Sequence, residues 1–173
     1  MTFSVSGFKA NAASEGFHRS SHYDVLVNAP VGIKNVKFRT ENISMPGSSF
    51  LTVDNYRPYS TGMIYSIPYS YNPQPISCTH LVDGNADMIQ SFYDWANLIA
   101  NLDGKEKFTA NYYDKFKGSI IIFVYGNDGS MTKQIHLWDV YPESIDQVQL
   151  SWADTDSITK VNVSYRFTQY QFM

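Results

Sequence analysis

The stretch YPESIDQVQLSWADTDSITKVNVSYRFTQYQF, residues 141–172, ends in a long run of strict alternation. Val161, Val163, Tyr165 and Phe167 share one parity; Asn162, Ser164, Arg166 and Thr168 share the other. Successive side chains of a strand point to opposite faces of a sheet, so the run predicts one long strand with an apolar and a polar face. Ahead of it, Tyr141-Pro142-Glu143-Ser144 reads as a corner, Gln147 to Trp152 as a short strand, and Ala153 to Ser157 as a polar turn. The face from Val161 to Phe167 belongs to a core, and no residue in the stretch needs a chemical role.

Upstream, strands are predicted over His22 to Asn28, stopped by Ala29-Pro30, and over Val36 to Ile43, stopped by Met45-Pro46-Gly47. Residues 47–62 read as a long loop or extended hairpin carrying Phe50, Tyr56 and Tyr59. Two strands follow, Met63 to Tyr71 and Ile76 to Val82, linked by a Pro-rich turn. Pro68 marks the first as an edge or a bulged strand, because proline cannot donate to a ladder. Ile89, Phe92, Tyr93, Ala96, Ile99 and Ala100 recur at helical spacing and predict a helix over Ala86 to Leu102, with Asn85 as N-cap and Gly104 as its stop. The continuously apolar Ser119 to Tyr125 predicts a strand covered on both faces. Gly126-Asn127-Asp128-Gly129 then turns the chain into a return strand, Met131 to Val140. Seven or eight strands and one helix make the fold class mainly β: an antiparallel β-sandwich or half-open barrel with one packed α-helix. The division is an N-terminal arm over residues 1–21 and a single β domain over 22–173.

The 173 residues hold one cysteine, Cys78, which excludes an internal disulfide and fits a reducing compartment. The net charge of −3 supplies no basic field for gripping nucleic acid. Thirteen tyrosines and eleven phenylalanines against thirteen lysines plus arginines fit either a β-rich core or extensive subunit contacts. The N-terminus lacks a signal-peptide pattern, and no apolar stretch approaches the ~20 residues needed to span a bilayer. A soluble cytoplasmic product is the expectation.

No constellation for catalysis stands out, and the chain is read as no enzyme. His18 and His22 have the i, i+4 spacing of helical metal ligands, but His22 opens a strand and no third ligand is close in sequence, so no metal is assigned. His80 and His136 read as ordinary sheet residues. Asp154 and Asp156 bracket a turn, where aspartate caps its own backbone. Nucleophile-elbow, phosphate-loop and dinucleotide motifs are missing, so no cofactor is assigned. Lys105, Lys107, Lys115 and Lys117 interleave with Phe108, Tyr112, Tyr113 and Phe116, but Asp103, Glu106 and Asp114 dilute that charge into a solvated loop.

Several pieces recur in a fixed order. Ile43-Ser44-Met45-Pro46-Gly47 closes a strand, and Phe92-Tyr93-Asp94-Trp95 lies in the helix. Ile135-His136-Leu137-Trp138-Asp139-Val140 then leads into the Tyr141-Pro142-x-Ser144 corner. Val148-Gln149-Leu150-Ser151-Trp152 follows, with the acidic turn Asp154 to Asp156, Ile158, and a strand ending in Tyr165, Phe167 and Tyr170. From about Tyr23 to Phe172 this set resembles the tail tube proteins of contractile-tailed (myovirus-type) bacteriophages. The resemblance implies hexameric rings whose strands complete a continuous inner barrel, stacked into a hollow tube that conducts DNA from capsid to host. It also implies a virion location with assembly in the host cytoplasm. The implied partners are further copies of the chain, a tail sheath protein, a tape measure protein in the lumen, a baseplate tube initiator and a tail terminator, with DNA passing without specific binding and no membrane insertion. The segment 56–71 departs from the pattern, which leaves room for a baseplate tube-initiator paralogue. A type VI secretion-like ring protein and a monomeric ligand-binding β-barrel are the other readings. Phe50, Tyr56, Arg57 and Tyr59 are the expected inter-subunit or inter-ring contacts. Asn162, Ser164, Arg166 and Thr168 are the candidate lumen- or surface-facing strand residues.

Overall fold

A computed structural model describes residues 5, 9, 16–33, 36–55, 65–102, 109–153 and 156–173. In chain order the elements are β1 (Tyr23–Asn28), α1 (Val36–Arg39), β2 (Thr40–Ile43), β3 (Ser48–Asn55), β4 (Tyr65–Pro73), β5 (Ile76–Leu81), α2 (Asp87–Ile99), α3 (Tyr113–Phe116), β6 (Gly118–Tyr125), β7 (Met131–Ile145), β8 (Lys160–Arg166) and β9 (Gln169–Phe172). The main sheet runs β1-β6-β7-β8-β5-β2 with β9 also on β7, and every pairing is antiparallel. β3 and β4 pair only with each other.

β7 is the spine. Its first part pairs with β6 on one flank and β9 on the other, and its last part pairs with β8. β8 and β9 are close to one continuous strand along β7, with the Thr168 N–H donating to the Trp138 carbonyl between them. The long alternating strand is therefore present, but it breaks after Arg166. Beside the break β7 carries a bulge on its β6 side: Asp139 is an extra residue between the Gly118–Val140 and Ser119–Trp138 pairs, and its φ is 53°. A bulge of this kind bends its strand and sharpens the local twist. The bend lets one sheet curl until two halves face each other over a common core.

Val25 and Val27, Ile76 and Cys78, Ile120 and Ile122, Ile135 and Leu137, and Val161, Val163 and Tyr165 fill that core. α2 lays Met88, Phe92 and Trp95 into it. Trp95 is fully buried, and its Nε1 donates to the Phe116 carbonyl at 2.7 Å, so its polar atom is satisfied. Gly118 lies against this ring. A Cβ there would sit 2.4 Å from the Asn28 carbonyl oxygen and 3.2 Å from the Trp95 ring.

Several local expectations are corrected. Residues 36–43 are not one strand: Val36–Arg39 make a helical turn before β2, with Val36 buried and the Thr40 hydroxyl donating back to its carbonyl. The segment 147–152 forms no strand and pairs with none among the described residues; Leu150 is 83% and Trp152 103% exposed. The Tyr141–Ser144 corner lies inside β7. Asn85 does not cap α2; the N-cap is Ala86 at φ 57°, and the Asp83 carboxylate accepts from the Met88 N–H instead. The helix ends at Ile99, and Gly104 lies outside the described residues. β6 is covered fully on one face only: Ile120, Ile122 and Val124 are buried, while Ile121 and Phe123 are half-buried. The Pro68 expectation holds, since the β3–β4 register slips at Tyr69, between the Leu51–Ser70 and Thr52–Pro68 pairs.

Candidate assembly surfaces

Two surface features of this fold bear on assembly. The first is the outward face of β8. Asn162, Ser164 and Arg166 point away from the core while Val161, Val163 and Tyr165 point into it. The β5 register sets Thr79 beside Asn162 and Ser77 beside Ser164, and the Thr79 hydroxyl donates to Asn162 Oδ1 at 2.8 Å. The two cations of the strand are each matched: Arg166 Nη2 lies 2.6 Å from Glu143 Oε1, and Lys160 Nζ lies 2.6 Å from Glu41 Oε1. The hydrogen bond and charge of Glu143 hold the Arg166 guanidinium above its already high range. Exposed pairs like these add little stability, because solvent and salt screen them. Their larger effect is to cancel charge, leaving a face of hydroxyls, amides and neutralised ions.

Thr168, expected on the same face, lies beyond the end of β8. Its hydroxyl is 3.2 Å from that of Tyr113, which donates to the Asp139 carbonyl at 2.9 Å. It belongs with α3 at the bend of β7.

The second feature is the β3–β4 ribbon. Directly opposed residues of an antiparallel pair share a face. Val53 opposes Ile67 and Asn55 opposes Tyr65, with Leu51 on the same face of β3. Thr52 opposes Pro68 and Asp54 opposes Ser66 on the other face, where the Ser66 hydroxyl donates to Asp54 Oδ1 at 2.6 Å. Past the bulge the ribbon is thus amphipathic. Leu51, Val53, Tyr65 and Ile67 are all exposed, with Tyr65 at 70%. Phe50, 62% exposed, packs at the ribbon's base with its ring 6.0 Å from that of Tyr71. Tyr71 in turn lies beside Tyr170 of β9, and burial followed by that neighbour raises its pKa. Of the expected contact residues only Phe50 is described; Tyr56, Arg57 and Tyr59 lie outside the described residues.

Sequence reasoning missed Leu51, Val53, Tyr65 and Ile67 as a set. The signal was present, since both flanks of segment 56–64 alternate with period two. Reading 47–62 as one unit hid the pairing.

The fold has relatives among solved structures. A chain of the sheath–tube complex of PVC, an extracellular contractile injection system, in its extended state superposes with a TM-score of 0.66 at 16% identity, covering 99% of each chain. A chain from the PVC sheath/tube terminator gives 0.66 at 14% identity, covering 92% of this chain and 99% of that one. A chain from the tube-terminating cap of the anti-feeding prophage gives 0.62 at 15%, covering 91% of each. At such identities the likeness is one of fold, and it defines the class: a mainly β, antiparallel fold shared with chains of contractile injection systems. Among curated proteins none matches. The phage tail tube protein family matches residues 2–173, nearly the whole sequence, and the chain belongs to that family.

Proposed function

We propose that this protein is the repeating subunit of a phage tail tube, forming hexameric rings that stack into a hollow conduit for DNA. The observation that carries the reading is the amphipathic ribbon. A lone two-stranded hairpin is at best marginally stable in water, and one that exposes an apolar face and two long edges is an aggregation hazard unless something covers it. In a homo-oligomer the cover is another copy, and identical head-to-tail contacts close into rings or run on as filaments. The ribbon, with Phe50 at its base, is the proposed contact between subunits or rings, together with Tyr56, Arg57 and Tyr59, which follow β3 in sequence, and the arm over residues 1–21.

The charge-cancelled face of Asn162, Ser164 and Arg166 is the proposed lumen wall. Phosphate contacts give affinity in proportion to the cations they engage, so a conduit for DNA works best where cations are already matched. Sheath, tape measure, tube initiator and terminator are the proposed partners. Fold neighbours drawn from sheath–tube, terminator and baseplate assemblies support the sheath, terminator and baseplate members of that set. A place in the virion follows from the family. Among the described residues no helix is long and apolar enough to cross a membrane. The family is one of structural tube proteins, which supports a role without catalysis.

Electron microscopy of the purified protein tests the reading. Six-fold rings or hollow tubes are expected. A monodisperse monomer at every concentration and salt tried would overturn it.

A further inference from the structure

His80 of β5 has no exposed surface and belongs to neither assembly surface. Its ring is held from several sides. Nδ1 lies 3.2 Å from Thr40 Oγ1 at the start of β2, and Nε2 lies 3.1 Å from the Tyr165 hydroxyl on β8. The Phe92 ring of α2 sits with its centroid 5.1 Å away. The Thr40 hydroxyl proton is already committed to the Val36 carbonyl, 3.0 Å away in α1. Thr40 can therefore only accept from His80, which puts the single ring proton on Nδ1 and leaves Nε2 to accept from Tyr165. A directed chain of hydrogen bonds thus runs Tyr165 to His80 to Thr40 to Val36, tying β8 and β5 to the α1–β2 strip.

That strip closes the half-open barrel, and it is lightly held. β2 is four residues long, pairs only with β5, and slips register between Thr40 and Asn42. Its ties to β1 are side-chain contacts: the Tyr23 hydroxyl to the Glu41 carbonyl, and Lys37 to Asp24 at 3.1 Å. Along it runs a half-open groove of about 630 Å³ bordered by Tyr23, Glu41, Ile43, Met45, Ile122 and Val124, so water already reaches the edge of the strip.

We propose that this hydrogen-bond chain is a proton-operated latch: a second proton on His80 releases α1 and β2 from the body and opens the seam between β1 and β2. Protonation turns Nε2 into a donor facing a hydroxyl that is itself donating. The Tyr165 proton then has to turn away inside a fully buried site, and an unpaired polar group there is costly. Among the described residues no opposite charge is poised to stabilise the imidazolium. The titratable neighbours are Tyr165 and Cys78, both pushed up by burial, the thiol to about 12, so both are neutral in acid. The charges of α1 and β2 are engaged elsewhere: Lys37 with Asp24, Arg39 with Asp83, and Glu41 with Lys160. On α2, Asp87 is exposed and Asp94 accepts from Gln90. On β8, Lys160 and Arg166 face outward in their own pairs.

Burial alone lowers His80 from 6.5 to about 4. The closed form therefore favours the neutral ring. Its advantage is essentially complete well above pH 6.5, shrinks as the pH falls, and is lost to the extent of roughly 160-fold by pH 4 and roughly 300-fold below pH 3. The latch is a property of the single chain and does not depend on the tube reading.

Hydrogen exchange between pH 7 and 3.5, with His80 followed by NMR, tests it. In the wild type, protection over residues 36–43 is expected to fall by about 80-fold between pH 6.5 and 4, relative to β6 and β7, and to level off as His80 of the closed form titrates. The double variant His80→Phe, Tyr165→Phe removes the proton site and leaves no buried donor stranded, and its strip is expected to stay within about threefold of the core strands. Three results overturn the latch. One is loss of the strip only together with β6 and β7. The second is equal loss in the double variant, which would assign it to Asp24 and Glu41. The third, readable on the wild type even if the variant fails to fold, is His80 titrating near 6.5 with the strip still protected.

Discussion

Gly118 and Trp95 show how single side chains set the shape of this molecule. The chain before β6 must pass between the Asn28 carbonyl and the Trp95 indole, and the space holds no Cβ. The constraint at Gly118 is one of room, since backbone oxygen cannot swing aside as a flexible side chain can. Gly118→Ala is expected to cost about 1–3 kcal/mol by forcing β1 and β6 apart, read as a lower urea midpoint with an unchanged slope. Trp95→Phe keeps most of the packing but strands the Phe116 carbonyl. It is expected to cost about 1–3 kcal/mol, whereas Trp95→Ala should cost about 3–5 kcal/mol because it also opens a cavity beside Tyr165. A Trp95→Phe variant as unstable as the alanine variant would show that the hydrogen bond, not the ring volume, dominates.

The element that organises the fold is the bent β7, and its bend rests on Asp139. A non-glycine residue at φ 53° pays roughly 1–2 kcal/mol, less for aspartate than for a β-branched residue. Asp139→Val is accordingly expected to destabilise by about 1–2 kcal/mol in chemical denaturation, while Asp139→Gly should be within about 0.5 kcal/mol of wild type, its relaxed backbone offsetting the loss of Lys117 at 3.4 Å. The bend also marks where the sequence stopped being readable. The apolar parity of Val161 to Phe167 gave strand and face correctly, because burial of one sheet face is written directly into a period of two. The break after Arg166 falls beside the β7 bend at Asp139, whose bulge is set by the pairing with β6, and no pattern within 160–172 carries that. Residues 147–152 alternate just as well, yet make no strand, because alternation states a capacity for pairing and not the presence of a partner. Val36–Arg39 is one turn long, too short for helical periodicity to show. The polar face was legible to Arg166, whereas the carboxylates that neutralise it, Glu143 and Glu41, come from distant segments and become visible only once strands are paired.

At the scale of the whole molecule, the main sheet packs one face of its strands into the core, and the ribbon leaves the apolar face of its strands exposed. That asymmetry yields two expectations about the assembly. Removing the matched carboxylates with Glu41→Gln and Glu143→Gln leaves Lys160 and Arg166 uncompensated on the proposed lumen wall. Each cation freed adds a phosphate contact, so tubes of the double variant should retain DNA at low salt and release it steeply as salt rises, with about 0.7–0.9 added to the log–log salt slope per cation engaged. Filter retention of tubes assembled with short DNA reads this out, and wild-type-like release would place the face elsewhere. The ribbon gives the more direct test. Ile67 and Val53 oppose each other on its exposed apolar face, away from the core of their own chain. A charge at Ile67 therefore costs the lone subunit little, because in the monomer it would stand in water. Buried against a second copy without a partner, the same carboxylate costs several kcal/mol, and it would do so at every contact in a ring. Ile67→Glu is thus expected to keep the wild-type unfolding midpoint within about 0.5 kcal/mol while abolishing rings and tubes in light scattering and electron microscopy. Ser66→Glu, on the polar face one residue away, should fold equally well and still assemble. Tubes formed equally well by Ile67→Glu would mean that the ribbon's apolar face is not what the subunits share.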